Sequence, residues 1–291
     1  GSDNVSLGNG TLQSATSAQH VVAIGSTVLN LNTTGSFNTA VGSISMQNNT
    51  TGGNNVSLGY QTLFNNTPAS NNSAIGYRAL ANTITGGSNS ALGSEALAFI
   101  TTGSNNTALG YQALYTATSV SNQVAIGYQA LFSNTTGASN TAVGYQASYS
   151  NLTGTQNVAR GTSALFANTA SNNTAIGFNV LPANSSGTGN TSVGSRSMEL
   201  NTTGGANAAF GTFALLNNLS GSNNVALGRS ALTAATSVSN NVAVGYFALN
   251  ANTIGTPNTA VGTQAMQNNT TGINNSAFGY QALLSNTTGS H

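Results

Sequence analysis

The sequence predicts an all-β fold, a parallel β-solenoid of seventeen 17-residue coils. Three observations predict it. A short string, Asn-x-Ala/Ser-aliphatic-Gly, recurs with its glycine at Gly8, Gly25, Gly42 and onward to Gly279, every step being 17 residues except Gly161 to Gly177, which is 16. The string alternates as a short strand does, and the stretch after it, Tyr-Gln-Ala-Leu in the best-formed units, is expected to give a second strand. Asn-Thr-Thr-Gly then supplies turn chemistry. A helical-hairpin repeat needs over ~30 residues, and the leucine spacing of a leucine-rich horseshoe is missing. Stacked about 4.8 Å apart, seventeen coils would make a rod of roughly 80 Å. The repeat has no linker, so residues 1–291 read as a single repeat domain, either a fragment of a longer fibre or an uncapped filament subunit.

Composition agrees. Charged residues make up 2% of the chain: four Arg, no Lys, two Glu and one Asp. In a 17-residue coil each column stacks on itself, so a repeated charge would face its own copy about 5 Å away. Repetition therefore selects Asn, Thr and Ser. A net charge of +1 removes the basic footprint that nucleic-acid binding requires. No apolar run reaches the roughly 20 residues that span a bilayer, so no membrane insertion is expected in this segment.

The columns assign roles. The position before the glycine (Leu7, Ile24, Val41, Leu58) is apolar in sixteen coils, and the position four after it (Leu12, Leu29, Met46, Leu63) is Leu or Met in sixteen. These two columns are expected to form the core. Between them runs a column of Ala or Ser (Ser6, Ala23, Ala40, Ala74, Ala108), expected on the opposite strand face against a close neighbour. Two large apolar residues per coil make a thin core, for which oligomerisation is a remedy. A homotrimer or an end-to-end assembly of the chain with itself is therefore expected. The Asn column that opens the strand, filled in fifteen coils, is expected to form stacked amides at a corner.

Strings such as NTAVG (residues 140–144), NVALG (224–228) and NNTAIG (172–177) resemble the head repeats of trimeric autotransporter adhesins. The fuller unit NTALGYQAL (106–114) is similar to repeats of phage-like tail fibres and bacterial fibre proteins. The resemblance implies a left-handed parallel β-roll packed as a trimer, an extracellular, cell-surface or virion location, and a role in attachment to cell-surface glycans or protein receptors. It covers the whole chain and points to no single ligand.

Three turns, SATSAQH (14–20), TATSVSN (116–122) and AATSVSN (234–240), mark related blocks six and seven coils apart. Growth by block duplication suits a spacer or a multivalent surface. Exceptions to the columns are the candidate sites. Arg78 and Glu95 share a column in adjacent coils and read as a surface ion pair, as do Arg196 and Glu199 within one coil. Arg160 stands in the aliphatic column, and Ser148, the exception in the leucine column, lies in the preceding coil. The serine is expected to make room for the guanidinium, giving an internal polar or anion site or else a register-setting flaw. Tyr60, Tyr77, Tyr111, Tyr128 and Tyr145 form one aromatic stripe, with Phe64, Tyr115, Phe132, Tyr149 and Phe166 four residues further along. Mutual stacking is one role for them, and a platform for glycans the other.

Asp3, Glu95, Glu199, His20 and His291 fall on scattered coils, so no catalytic residues, metal site or cofactor are expected. The sequence reads as a non-enzymatic fibre segment, a rigid spacer with an adhesive surface. Two alternatives stand beside that reading. One is an ice-binding solenoid using the column Thr33, Thr50, Thr67, Thr101, Thr118 and Thr135. The other is a self-assembling extracellular filament subunit.

Overall fold

The computed structural model describes residues 1–290. It is an all-β parallel solenoid of seventeen strands, from β1 (Val5–Leu7) to β17 (Asn275–Phe278), with no helix among the described residues. The chain divides into two compact units. Gly1–Val143 holds β1 to β9 (Thr141–Val143), and the unit beginning at Gly144 holds β10 (Val158–Arg160) to β17.

Within each unit a strand pairs in parallel with the strand one coil away. Thus β6 (Ser90–Leu92) sets Ser90, Ala91 and Leu92 opposite Thr107, Ala108 and Leu109 of β7 (Thr107–Leu109). The 16-residue step appears where Val158 of β10 faces Thr174 of β11 (Thr174–Ile176). Its missing residue comes out of the turn. Asn151 donates its side-chain amide to the carbonyl of Gly154, three residues on, at 2.9 Å, whereas Asn168 donates to Ala170, two residues on, at 2.7 Å. The strand ladder continues unbroken.

Each coil has one strand, and the predicted second strand is absent. The Tyr-Gln-Ala-Leu stretch is a turn because Gln112 (φ 52°) and Leu114 (φ 53°) both take left-handed backbone. That alternation still aims the amides along the coil axis. Gln112 donates to Ser94 O in the preceding coil at 3.0 Å, and Leu114 to Ala130 O in the following one at 2.9 Å.

The core is arranged differently from the expectation. The leucine column is interior, with Leu29, Leu63, Leu80, Leu114 and Leu131 fully buried. The aliphatic column before the glycine is not: Leu58 and Leu92 are each 47% exposed. The Ala/Ser column expected to face a neighbour is instead buried from Ala23 to Ala277. Strand alternation forces this choice, since the middle residue of a three-residue strand must point opposite to its flanks. A 17-residue coil encloses little space, and the interior is already occupied by the leucine, by a second alanine column (Ala79, Ala96, Ala113, Ala130) and by two columns of Asn side chains. Only a small residue fits at the strand centre.

The Asn columns replace a wide apolar core with a polar one. In the strand-opening column, which behaves as predicted, Asn72 N–H donates to Asn55 Oδ1 at 2.9 Å, its Nδ2 to Gly86 O at 3.0 Å, and its Oδ1 accepts Asn89 N–H at 2.9 Å. A second amide ladder, read in the sequence only as turn chemistry, runs through Asn32, Asn49 and Asn66. Asn49 Nδ2 donates to Asn32 Oδ1 at 2.7 Å and to Gly52 O at 3.0 Å. It is interrupted where Thr83, Ile100 and Ala117 replace Asn, leaving Asn66 Oδ1 and Thr83 Oγ1 buried without partners, and resumes at Asn134. Because both ladders are polar, the leucine column supplies the large apolar burial. Replacing Leu114 with Ala is expected to cost about 2–5 kcal/mol in urea unfolding of the chain, the range for a cavity in a packed interior.

Candidate functional surfaces

Three surfaces have chemistry to offer. The first is the outer face of the strands. Its first column carries Ser73, Ser90 and Thr107, and its third carries Ile75, Leu92 and Leu109, with exposures of 38%, 47% and 40% in the third. A shallow apolar groove runs between these residues. Among the described residues none of the third column is buried. A single exposed leucine is unremarkable, but a continuous aliphatic row along a sheet face is the kind of patch that marks an interaction surface.

The second is the tyrosine column that follows the glycine corner. Tyr60 and Tyr77 stack with centroids 5.8 Å apart and planes 7° apart, and Tyr111 stacks on Tyr128 at 5.5 Å and 20°. Tyr145, in the second unit, is 51% exposed. Rings stacked this way turn their faces to each other and their edges to solvent. A flat platform of exposed faces, as the glycan reading needs along the whole stripe, does not form within these pairs. The companion column stacks too, Tyr115 on Phe132 at 5.2 Å and Tyr149 on Phe166 at 5.2 Å, with Phe99 edge-on to Tyr115.

The third is the column beside the tyrosines, where glutamines alternate with charge. Gln129 Nε2 donates to Gln112 Oε1 at 2.9 Å, and Gln112 Nε2 donates to Glu95 Oε2 at 2.8 Å. The expected pair of Arg78 with Glu95 is not made. The ion pairs among the described residues are Arg196 with Glu199 at 2.7 Å and His20 with Asp3 at 3.9 Å. The cause is the direction of the ladder. Each side chain accepts from the coil that follows, so Glu95 turns to Gln112, and Arg78 Nε is left buried without a partner. Nearby, burial pushes the Tyr115 hydroxyl pKa above its ordinary value, Glu95 and Tyr111 add to the rise, and Arg78 opposes it.

Arg160 and Ser148 do not form the expected internal site. Arg160 is the third residue of β10 and points outward with the aliphatic row, exposed, whereas Ser148 is interior and 1% exposed. Ser148, in the turn, faces inward and Arg160, in the strand, faces outward, so the guanidinium has no burial cost to offset. Arg196 is better tied down, packing over Phe213 at 5.3 Å besides its ion pair, while Asn179 Nδ2 donates to Glu199 Oε1 at 2.6 Å. No family model, no curated protein and no solved structure matches the chain. Its function must therefore be argued from these surfaces.

The threonine column offers less than its regularity suggests. Thr33, Thr50 and Thr101 donate their hydroxyls to the carbonyls of Thr50, Thr67 and Thr118 at 3.0, 3.1 and 2.9 Å. Those hydrogens serve the coil stack and are not presented to ice. Among the described residues no group of three His, Asp or Glu could hold a metal, and no helix is long and apolar enough to cross a membrane. Of the scattered ionisable residues, His20 stacks on Phe37 at 5.0 Å, and His291 lies outside the described residues.

One set of interior residues escaped the sequence reading although it left a signal. Each time the strand centre is Ser instead of Ala, the residue five positions on is a hydroxyl: Ser6 with Thr11, Ser57 with Thr62, Ser192 with Ser197. These hydroxyls bond one another, Ser192 to Ser197 at 2.8 Å, and Ser45 joins the Ser57–Thr62 pair at 2.6 and 3.1 Å. Ser6 is exposed in the first coil, but Ser57, Thr62, Ser192 and Ser197 are buried, and buried polar groups come paired, so the coincidence identifies an interior column.

Proposed function

We propose that the chain is a non-enzymatic fibre segment of an extracellular, cell-surface or virion structure, in which left-handed β-rolls pack as a homotrimer and present a rigid adhesive surface. The observation that carries this reading is the aliphatic row on the outer strand face. The coil interior is filled by Ala, Leu and hydrogen-bonded Asn, so the row cannot be buried within its own chain. A second copy of the same flat, regular ladder is its natural complement, and burial of each side chain is worth about 1.5–3 kcal/mol when complete. The resemblance of NTAVG and NTALGYQAL strings to trimeric adhesin heads and fibre repeats agrees with this assembly.

Multi-angle light scattering on the purified chain tests it. A mass of three chains is expected. Replacing both Ile75 and Leu109, two coils apart so that the new charges do not stack on each other, with Glu is expected to yield monomers of unchanged far-UV circular dichroism, because both side chains already face outward. A wild-type chain that remains a folded monomer at high concentration would overturn the assembly. Saturable binding to immobilised cell-surface glycans or cells tests the adhesive half, and binding to none would leave only the spacer role.

A further inference from the structure

The tyrosine ladder of the first unit has a gap of one ring. In consecutive coils the column reads Tyr60, Tyr77, Ser94, Tyr111, Tyr128. Tyr77 is stacked by Tyr60 on one side, and Tyr111 by Tyr128 on the other. The remaining face of each ring therefore looks toward the other across the coil of Ser94. Two coil steps separate them, about 10 Å, and each existing stack spans 5.8 or 5.5 Å between centroids. One six-membered ring above Ser94 would complete the ladder at the spacing the tyrosines themselves use.

The polar groups around this gap are unlike those of any other step. The neighbouring column, glutamine at Gln61, Gln112 and Gln129, becomes Arg78 in the coil of Tyr77 and Glu95 in the gap coil itself, next to Ser94. Arg78 makes no ion pair among the described residues and its Nε is buried with no hydrogen-bond partner, so its charge is left uncompensated beside the gap. Glu95 keeps its bond to Gln112 and has acceptor capacity for hydroxyl donors. Ser94 itself, half-buried, brings a hydroxyl to the position of the missing ring. The slot thus pairs two aromatic faces with a cation, an acceptor and a hydroxyl at its rim. An aromatic ligand would match the faces but would bring no hydroxyls to Glu95 or Ser94. A pyranose offers apolar C–H faces to both rings and a rim of hydroxyls, and a carboxylate on that ring would meet Arg78.

We infer that Tyr77, Ser94 and Tyr111, with Arg78 and Glu95 at the rim, form a binding slot for a single acidic pyranose, a uronic-acid residue of a glycan. This rests on the adhesive reading above and gives it one specific site in place of a continuous platform.

The repeat itself supplies substitutions that keep the fold. Ser94→Tyr fills the gap with the column's own residue, and Arg78→Gln restores the glutamine ladder. Methyl glucuronide and methyl glucoside are titrated into the trimeric or monomeric chain as purified, following tyrosine ring protons by NMR. The wild type is expected to bind the glucuronide saturably, with shifts on Tyr77 and Tyr111. Ser94→Tyr is expected to weaken binding by at least about tenfold, since it removes both stacking faces. Arg78→Gln is expected to erase the preference for glucuronide over glucoside. Equal binding by wild type and Ser94→Tyr would overturn the slot while leaving glycan adhesion elsewhere on the chain intact. Binding of neither sugar would also overturn it, and whether other glycans or cells are still bound then decides the adhesive reading separately.

Discussion

Replacing Gly93 with Ala is expected to destabilise the first unit by more than about 4 kcal/mol, in the range reserved for severe backbone and packing defects. Two independent costs combine. Gly93 has φ +143°, a region populated almost only by glycine and costing other residues about 1–3 kcal/mol. Its missing Cβ would also lie 2.4 Å from the carbonyl oxygen of Gly110 and 2.7 Å from its carbonyl carbon. Those are backbone atoms fixed by the strand ladder, so nothing can swing aside. Gly279 separates the two costs, because it has φ +122° with nothing among the described residues within 4 Å of its Cβ position. Gly279→Ala should therefore show the conformational cost alone. Urea unfolding of both variants checks the prediction, and similar losses in the two would show that the close approach of successive glycines is unimportant.

The second large effect is expected at the buried amide ladder. Asn72→Ala removes the acceptor of Asn89 N–H and the donor to Gly86 O, two backbone groups inside the coil. At about 1–3 kcal/mol for each orphaned group, the loss is about 2–6 kcal/mol. Amide exchange at Asn89 should accelerate in parallel with the loss measured by denaturant. The chain contains its own control. At the same column Gln123 accepts Asn140 N–H at 3.2 Å, donates through its amide to Gly137 O at 2.7 Å and takes Asn106 Oδ1 on its N–H at 3.0 Å. Asn72→Gln should therefore be far milder than Asn72→Ala. If the two cost the same, the ladder's hydrogen bonds do not hold the coil and packing of the amide does.

What could be read from the sequence follows from which physical signals are periodic. The coil length, the strand position and the Asn ladder each depend on spacing alone, and spacing survives any uncertainty about direction. Which strand face points inward does not. In Thr107-Ala108-Leu109 alternation says only that Ala108 opposes its neighbours, and hydrophobicity argues for burying Leu109. The decision belongs to volume: with Leu114, Ala113, Ala117 and the Asn106 side chain already inside the coil, Leu109 has no room. The outer aliphatic row was therefore misplaced in the sequence reading, and with it the surroundings of Arg160. The Arg78–Glu95 pair failed for a similar reason, because adjacency in a column does not reveal which neighbour a side chain faces, and Glu95 faces Gln112 in the following coil. The ring gap at Ser94 was visible as a letter but had no meaning until the flanking tyrosines were seen to stack.

The constant register has a kinetic consequence. Within each unit a strand's partners lie one coil away in sequence, as Ser90 pairs with Thr107 and Thr107 with Val124. Loop-closure entropy grows only with the logarithm of loop length, and here the loop to be closed is the same at every addition. Folding can begin at any coil and advance by a repeated step, as in other quasi-one-dimensional proteins. Lengthening such an array lengthens the time course in proportion to the number of steps without raising the barrier of any one of them. A slip by a whole coil would cost little among near-identical neighbours. The 16-residue step after β10 and the Ser–Thr hydroxyl pairs mark particular coils as unlike the rest, and a slipped alignment would meet them out of place.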